Sequence, residues 1–283
     1  MKKVYWIVGI LIILALTAAG VYLVKTRDVQ TNSSTLATIV KPTPEPRPDV
    51  PKAETYEVPI LMYHYIRDAA NEDELGKGLS VHPDNFGAQI KWLKDNGYAS
   101  VKLADLADPE KKAISKTIYE KKKPVVISFD DGYTDAYTQA FPVLKKYGMA
   151  GTFFIIRNSV GKDDSFYMNQ AQIDEMAKAG MEIGSHSLNH PDLTKISAED
   201  LKNQLNESKL DADTFCYPAG RYNETVVKAV KEAGYVAAVT TKFGVATEKS
   251  SLLELKRVRI EDTGVDAFRM KIEAAIDETH KNG

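Results

Sequence analysis

Residues 124–132 read Pro-Val-Val-Ile-Ser-Phe-Asp-Asp-Gly (PVVISFDDG), six uncharged residues running straight into two carboxylates and a glycine. A continuous apolar run, as opposed to an alternating one, marks a strand buried on both faces. That happens when helices cover a parallel sheet. The switch to Asp130-Asp131-Gly132 places two carboxylates at the strand's C-terminal end. In parallel barrels and open parallel sheets, sites are built at that end because the loops converge there.

Outward from this stretch, short apolar runs alternate with segments of helical period. Residues 58–64 (VPILMYH), 98–102 (YASVK), 151–156 (GTFFII), 181–186 (MEIGSH), 214–217 (TFCY), 235–241 (YVAAVTT) and 255–260 (LKRVRI) read as strands. Between them, helices are expected over 84–96 with Phe86, Ile90 and Leu93 on one face, over 136–147, and over 169–179. Ser197 opens another helix as N-cap, and Asn223 caps one running to Ala233. Strand and helix alternate at least five times, which argues for parallel strands joined by helical crossovers. The pattern leaves open whether the sheet closes into a barrel.

Four expected strands end in reactive or turn-forming residues. His64 ends the first, Asp130-Asp131 the one quoted above, His186 another, and Tyr217-Pro218-Ala219-Gly220 follows TFCY. Taken alone, Asp-Asp-Gly fits an ordinary turn. His186-Ser-Leu-Asn-His190 fits a pair of polar loop histidines, but two imidazoles four apart can also chelate a metal on one helical turn. Pro191 argues against a long helix through His190, so a loop or single turn is expected. A carboxylate and two histidines supply three ligands and leave a coordination position vacant, the pattern of a catalytic metal site.

Bulk properties set the frame. The chain has 283 residues, 43% hydrophobic and 27% charged, enough for one large domain with a substantial core. A net charge of −2 gives no basic excess and no reason to expect nucleic acid. The single cysteine, Cys216, excludes an intramolecular disulfide framework and, lying far from the N-terminus, a lipoprotein anchor. Residues 4–24 carry no charge after Lys2-Lys3, and a helix of about 20 residues spans the hydrocarbon core. Thr17-Ala18-Ala19 would be a poor cleavage site, and the apolar run continues past it, so residues 1–24 are expected to be a single-pass signal-anchor. The alternative is a cleaved signal peptide and a secreted protein. Residues 25–57, with KPTPEPRPDVP at 41–51, read as an extended proline-rich linker outside the membrane. Residues 58–283 are expected to form the catalytic domain. Nothing in the sequence specifies an oligomer, and a monomer is expected.

SFDDG (128–132), HSLNH (186–190) and CYPAG (216–220), in that order and spacing, resemble the polysaccharide deacetylases of the NodB-homology family, carbohydrate esterase family 4. The resemblance covers about residues 58–270. PILMYHYI (59–66), NFGAQIKWLKDNGY (85–98) and FCYPAGRYN (215–223) are similar to the branch that includes poly-N-acetylglucosamine deacetylases. The resemblance implies a distorted (β/α) barrel. It also implies a divalent metal, zinc before cobalt, nickel, iron or manganese, held by Asp131, His186 and His190. A metal-activated water would attack the amide, with Asp130 as base and His64 as acid. Tyr217 and the backbone N–H of Ala219 would face substrate and oxyanion.

Two departures from the common family pattern stand out. Cys216 and Ala219 occupy places where the family carries an arginine and a tyrosine, so an arginine orienting the base is missing there. Arg221 or Arg259 could replace it. The late Leu-x-His motif is also missing; His280, near the terminal Lys-Asn-Gly, is a poor substitute and His64 a better one. The expected activity is removal of N-acetyl groups from an amino-sugar polymer, peptidoglycan or poly-N-acetylglucosamine, at the cell surface. A polysaccharide-binding module with a degraded site is the alternative. Hydrolysis of the glycan chain fits poorly, because glycosidase carboxylates flank the bond about 5–9.5 Å apart, whereas Asp130 and Asp131 are adjacent.

Overall fold

The computed structural model describes residues 53–70, 72–162 and 166–281. The expected anchor (1–24) and all but the end of the linker (25–57) lie outside the described residues. Among those described, no helix is long and apolar enough to cross a membrane.

Eight strands form the main sheet: β1 (Ile60–Tyr63), β2 (Tyr98–Ser100), β3 (Lys123–Phe129), β4 (Thr152–Ile155), β5 (Glu182–Ser185), β6 (Thr214–Cys216), β7 (Ala237–Phe243) and β8 (Leu255–Arg259). Every pairing among them is parallel, as the continuous apolar runs predict. The order runs β1, β8, β7, β6, β5, β4, β3, and β3 then pairs back to β1, from Ile60 opposite Val126 to Tyr63 opposite Phe129. Seven strands therefore close into a barrel. β2 stays outside the ring and pairs only with the first residues of β3, Tyr98 with Lys123 through Ser100 with Val125.

Closure gives each strand two buried faces. Ile60, Val126, Phe154, Cys216, Val239 and Leu255 fill the interior. Neighbouring positions point outward onto helices, because successive strand residues face opposite sides. Leu61, Tyr63, Phe129 and Phe153 meet α1 (Pro83–Asp95), α3 (Phe141–Tyr147), α4 (Gln170–Lys178) and α7 (Val265–Lys281) through Phe86, Leu144, Ile173 and Phe268. Phe215, Tyr217 and Ala238 meet α5 (Ala198–Lys209) and α6 (Glu224–Glu232) through Leu201, Leu205, Val226 and Val230. The caps are those expected: Ser197 accepts from the Asp200 N–H and Asn223 from the Val226 N–H.

Three features differ from the sequence reading. The charged stretch 108–123 carries a helix, α2 (Lys112–Tyr119). The C-terminal segment is helical rather than a tail, held by Phe268, Ile272 and Ala275 at positions i, i+4 and i+7, and it carries His280 to Glu57, away from the rim. Composition assigns Tyr56 and Glu57 to the linker, yet Tyr56 is buried and Glu57–Val58 pairs antiparallel with Ala246–Thr247.

Candidate active site

The C-terminal ends of β1, β3, β5 and β6 bring His64, Asp130, Asp131, His186, His190 and Ala219 to one rim. Asp131 leaves β3 in the left-handed region (φ 72°), followed by Gly132 at φ 79°. Ser187 (φ 64°), His190 (φ 57°) and Ala219 (φ 51°) are left-handed too, so four of the seven non-glycine residues with positive φ among those described belong to this rim. Such positions cost about 1–3 kcal/mol each and persist only where the surroundings over-determine them. The loop 186–190 is non-helical, as Pro191 suggested.

The expected ligand set is assembled. Asp131 Oδ1 lies 3.3 Å from His186 Nε2 and 3.7 Å from His190 Nε2. One donor atom from each of the three falls within 4.8 Å of the others. His186 donates from Nδ1 to the Cys216 carbonyl at 2.7 Å, which fixes the ring and leaves Nε2 aimed at the cluster. Ligating histidines are held by a hydrogen bond of this kind on the other nitrogen. Burial by itself lowers the His186 pKa, but Cys216 and Asp131 outweigh it and hold the pKa well above the ordinary value. Two nitrogens and a carboxylate oxygen suit a divalent ion of the zinc type.

Asp130 turns the other way. Burial pushes its carboxyl up, but the Arg257 guanidinium more than offsets this and holds it well below the usual carboxylate range. Arg257 Nη1 donates to Oδ1 at 2.7 Å and Nη2 to Oδ2 at 2.8 Å. The guanidinium is in turn held by the Thr240 carbonyl, the Ser128 hydroxyl and Cys216 Sγ. His64 Nε2 stands 3.6 Å from Asp130 Oδ2. Burial lowers the His64 pKa; Asp130 and Asp131 pull it up, and Arg257 and Arg259 push it down, leaving it below the ordinary histidine value.

Arg257 corrects the expectation placed on Arg221 and Arg259. Arg221 is exposed and pairs with Asp192 at 3.0 Å. Arg259 lies one pleat nearer the rim than Arg257, and its charge is felt at His64, not in a bond to Asp130. The signal was present in LKRVRI: residues 257 and 259 share a strand face, so an inward arginine implied two candidates. Only barrel closure shows that the deeper one, 1% exposed, meets Asp130. Cys216, small where the family pattern has arginine, leaves room for that guanidinium.

Tyr217 is a second correction. One strand position beyond the inward Cys216, it faces the helices, fully buried, and its hydroxyl donates to the Leu253 carbonyl at 2.9 Å. It is not available to substrate. Ala219 is exposed at the rim, and the next residue, Gly220 (φ 68°), approaches so closely that a Cβ there would fall 2.1 Å from Thr241 Oγ1. Of the other aromatic residues near the motifs, Tyr63 is core. Tyr65, Tyr133 and Tyr167 form a stack with ring centroids 4.1 and 5.5 Å apart, capped by Arg67 3.4 Å above Tyr65.

Fold and rim together define the class: a (β/α) barrel with paired aspartates and imidazoles at the C-terminal strand ends. Residues 118–238 match the family model described as polysaccharide deacetylase. The Bacillus subtilis (strain 168) protein YxkH, assigned to the polysaccharide deacetylases, is 38% identical over 216 residues, covering 72% of this chain and 71% of its own. The poly-beta-1,6-N-acetyl-D-glucosamine N-deacetylase of Staphylococcus aureus (strain N315) is 29% identical over 238 residues, 74% of this chain and 79% of that protein. The Streptococcus pyogenes deacetylase PplD, solved in complex with acetate, superposes with a TM-score of 0.69 at 31% identity over 76% of this chain and 98% of that one. The chain belongs to the polysaccharide deacetylase family and is a hydrolase.

Proposed function

We propose that the protein removes N-acetyl groups from an amino-sugar polymer, either peptidoglycan glycan strands or poly-N-acetylglucosamine. The observation that carries this is the division of labour between adjacent aspartates, Asp131 facing two imidazoles and Asp130 facing Arg257 and His64. The S. aureus relative, named for N-deacetylation, supports the amide as the bond cleaved, and the acetate bound to the S. pyogenes relative supports acetyl as the group removed.

Asp131, His186 and His190 would hold a divalent ion, most simply zinc. When bound, such an ion acidifies water and polarises an amide carbonyl. Asp130, kept ionised by Arg257, receives the proton of the attacking water. A base this weak accepts a proton only from a donor already made acidic. His64, neutral near pH 7 by virtue of its lowered pKa, gives a proton to the departing amine once it has taken one from the Asp130 side, 3.6 Å away. The exposed Ala219 backbone offers its N–H to the developing oxyanion.

The apolar run at 4–24 would tether this domain to the outer face of the cell membrane as a single-pass anchor, or export it if cleaved. The test measures acetate released from N-acetylglucosamine oligomers and from peptidoglycan, with metal-loaded protein, chelated protein and the Asp130→Asn variant. Release is expected only from the first. If no polymer yields metal-dependent acetate, a polysaccharide-binding module is the better reading.

A further inference from the structure

The loop that carries both histidines is left-handed at two non-glycine residues, Ser187 and His190, a conformation the segment would not hold unaided. Its amides are almost all committed. The His186 N–H bonds the Ile155 carbonyl at 2.9 Å, and the His190 N–H bonds Ser187 Oγ at 2.9 Å. From the β4 side, the Arg157 and Asn158 N–H groups bond the Ser187 and Leu188 carbonyls, and Asn158 Nδ2 bonds Asn189 Oδ1 at 2.7 Å.

Two further amides, at the tip, share one partner. Gln204 Oε1 accepts from the Leu188 N–H at 3.1 Å and from the Asn189 N–H at 3.0 Å. Gln204 stands mid-helix on α5, flanked by buried Leu201 and Leu205, which pack that helix against the barrel. A single side-chain oxygen on a rigid helix thus spans the two residues between Ser187 and His190.

We propose that Gln204 is a positioning residue for metal binding: its carbonyl oxygen holds the loop tip so that His190 stays within reach of Asp131 and His186 before any ion arrives. This rests on the reading of those three residues as the ligand set. A preformed ligand set binds more tightly than one that must be ordered on binding. Glutamate at this position keeps an oxygen for both amides, whereas leucine keeps the bulk and removes the acceptor.

The experiment titrates wild type, Gln204→Glu and Gln204→Leu with Zn²⁺ against a competing chelator, and follows amide hydrogen exchange at residues 186–190 in the metal-free proteins. Expected are about a tenfold or greater loss of Zn²⁺ affinity in Gln204→Leu, on the scale of other outer-shell substitutions. Affinity should be near wild type in Gln204→Glu, with faster exchange at Leu188 and Asn189 in the leucine variant but not at His186. Saturating Zn²⁺ should restore kcat to the leucine variant. Equal affinity in wild type and Gln204→Leu overturns the proposal and leaves the ligand set intact, as does faster exchange throughout the domain. A wild type that binds no Zn²⁺ overturns the ligand reading itself, and this proposal with it.

Discussion

Arg257 grips both carboxylate oxygens of Asp130, Nη1 on Oδ1 at 2.7 Å and Nη2 on Oδ2 at 2.8 Å, with neither side chain open to bulk water. The pair joins β8 to β3 across the barrel interior, so the orientation of the candidate base depends on a residue 127 positions away. A bidentate fork fixes the plane of the carboxylate as well as its charge. A carboxylate at this depth without its partner would be an uncompensated buried charge.

Replacing Arg257 tests that dependence. Arg257→Met should cost about 3–5 kcal/mol of stability, the range for breaking a buried ion pair. The depressed Asp130 pKa contributes stability above the ordinary carboxylate value of about 3.9, lost as pH falls below it, and the variant forfeits that contribution. In Arg257→Lys, one ammonium cannot bridge both oxygens, so the Asp130 pKa rises. The acid limb of the kcat/KM profile should then move to higher pH. An unmoved limb in the lysine variant would remove Arg257 from control of the base.

His64→Ala should lower kcat by about 10²–10⁴, the usual contribution of a general acid. Zn²⁺ affinity should change little, since His64 lies on Asp130 rather than in the Asp131 cluster. Steady-state kinetics alongside chelator competition separates the two quantities; wild-type kcat in this variant ends the acid assignment alone.

Glu182 closes the opposite end of the barrel. Its carboxylate accepts from the Leu103 and Ala104 N–H groups at 2.6 and 3.2 Å and from the Thr152 and Thr214 hydroxyls at 2.8 and 2.9 Å. Glu182→Gln would turn an NH₂ toward one of those backbone donors and leave it unpaired, at about 1–3 kcal/mol. Thermal melting should fall by several degrees while kcat at permissive temperature stays at the wild-type value, because the rim is at the other end.

Asp135 is pushed up to about 6 by burial, although Arg67 lies 3.2 Å away. A carboxyl raised in the fold stabilises it fully below the unfolded value near 3.9, and that contribution fades as pH rises through about 6. Asp135→Asn removes the titration. The stability gap between wild type and variant should shift by roughly 2–3 kcal/mol in the variant's favour between pH 4 and pH 7, measured by urea unfolding. A constant gap would mean that Asp135 is ionised throughout.

The sequence by itself determined the alternation of strands and helices, the parallel pairing, and the gathering of His64, Asp130, Asp131, His186 and His190 at strand ends. Each is carried by local pattern: unbroken apolar runs, caps, and polar residues where a strand stops. The i, i+4, i+7 spacing of Phe268, Ile272 and Ala275 carries α7 in the same local way. Tertiary structure alone decided what is non-local. β1 pairing with β3 closes the ring, which sets the depth of each inward side chain and selects Arg257 over Arg259 and Arg221. The same inward and outward alternation turned Cys216 toward Arg257 and Tyr217 into the helix layer. Whether a side chain reaches a site depends on which strands become neighbours, and strand neighbourhood depends on contacts far apart in the chain.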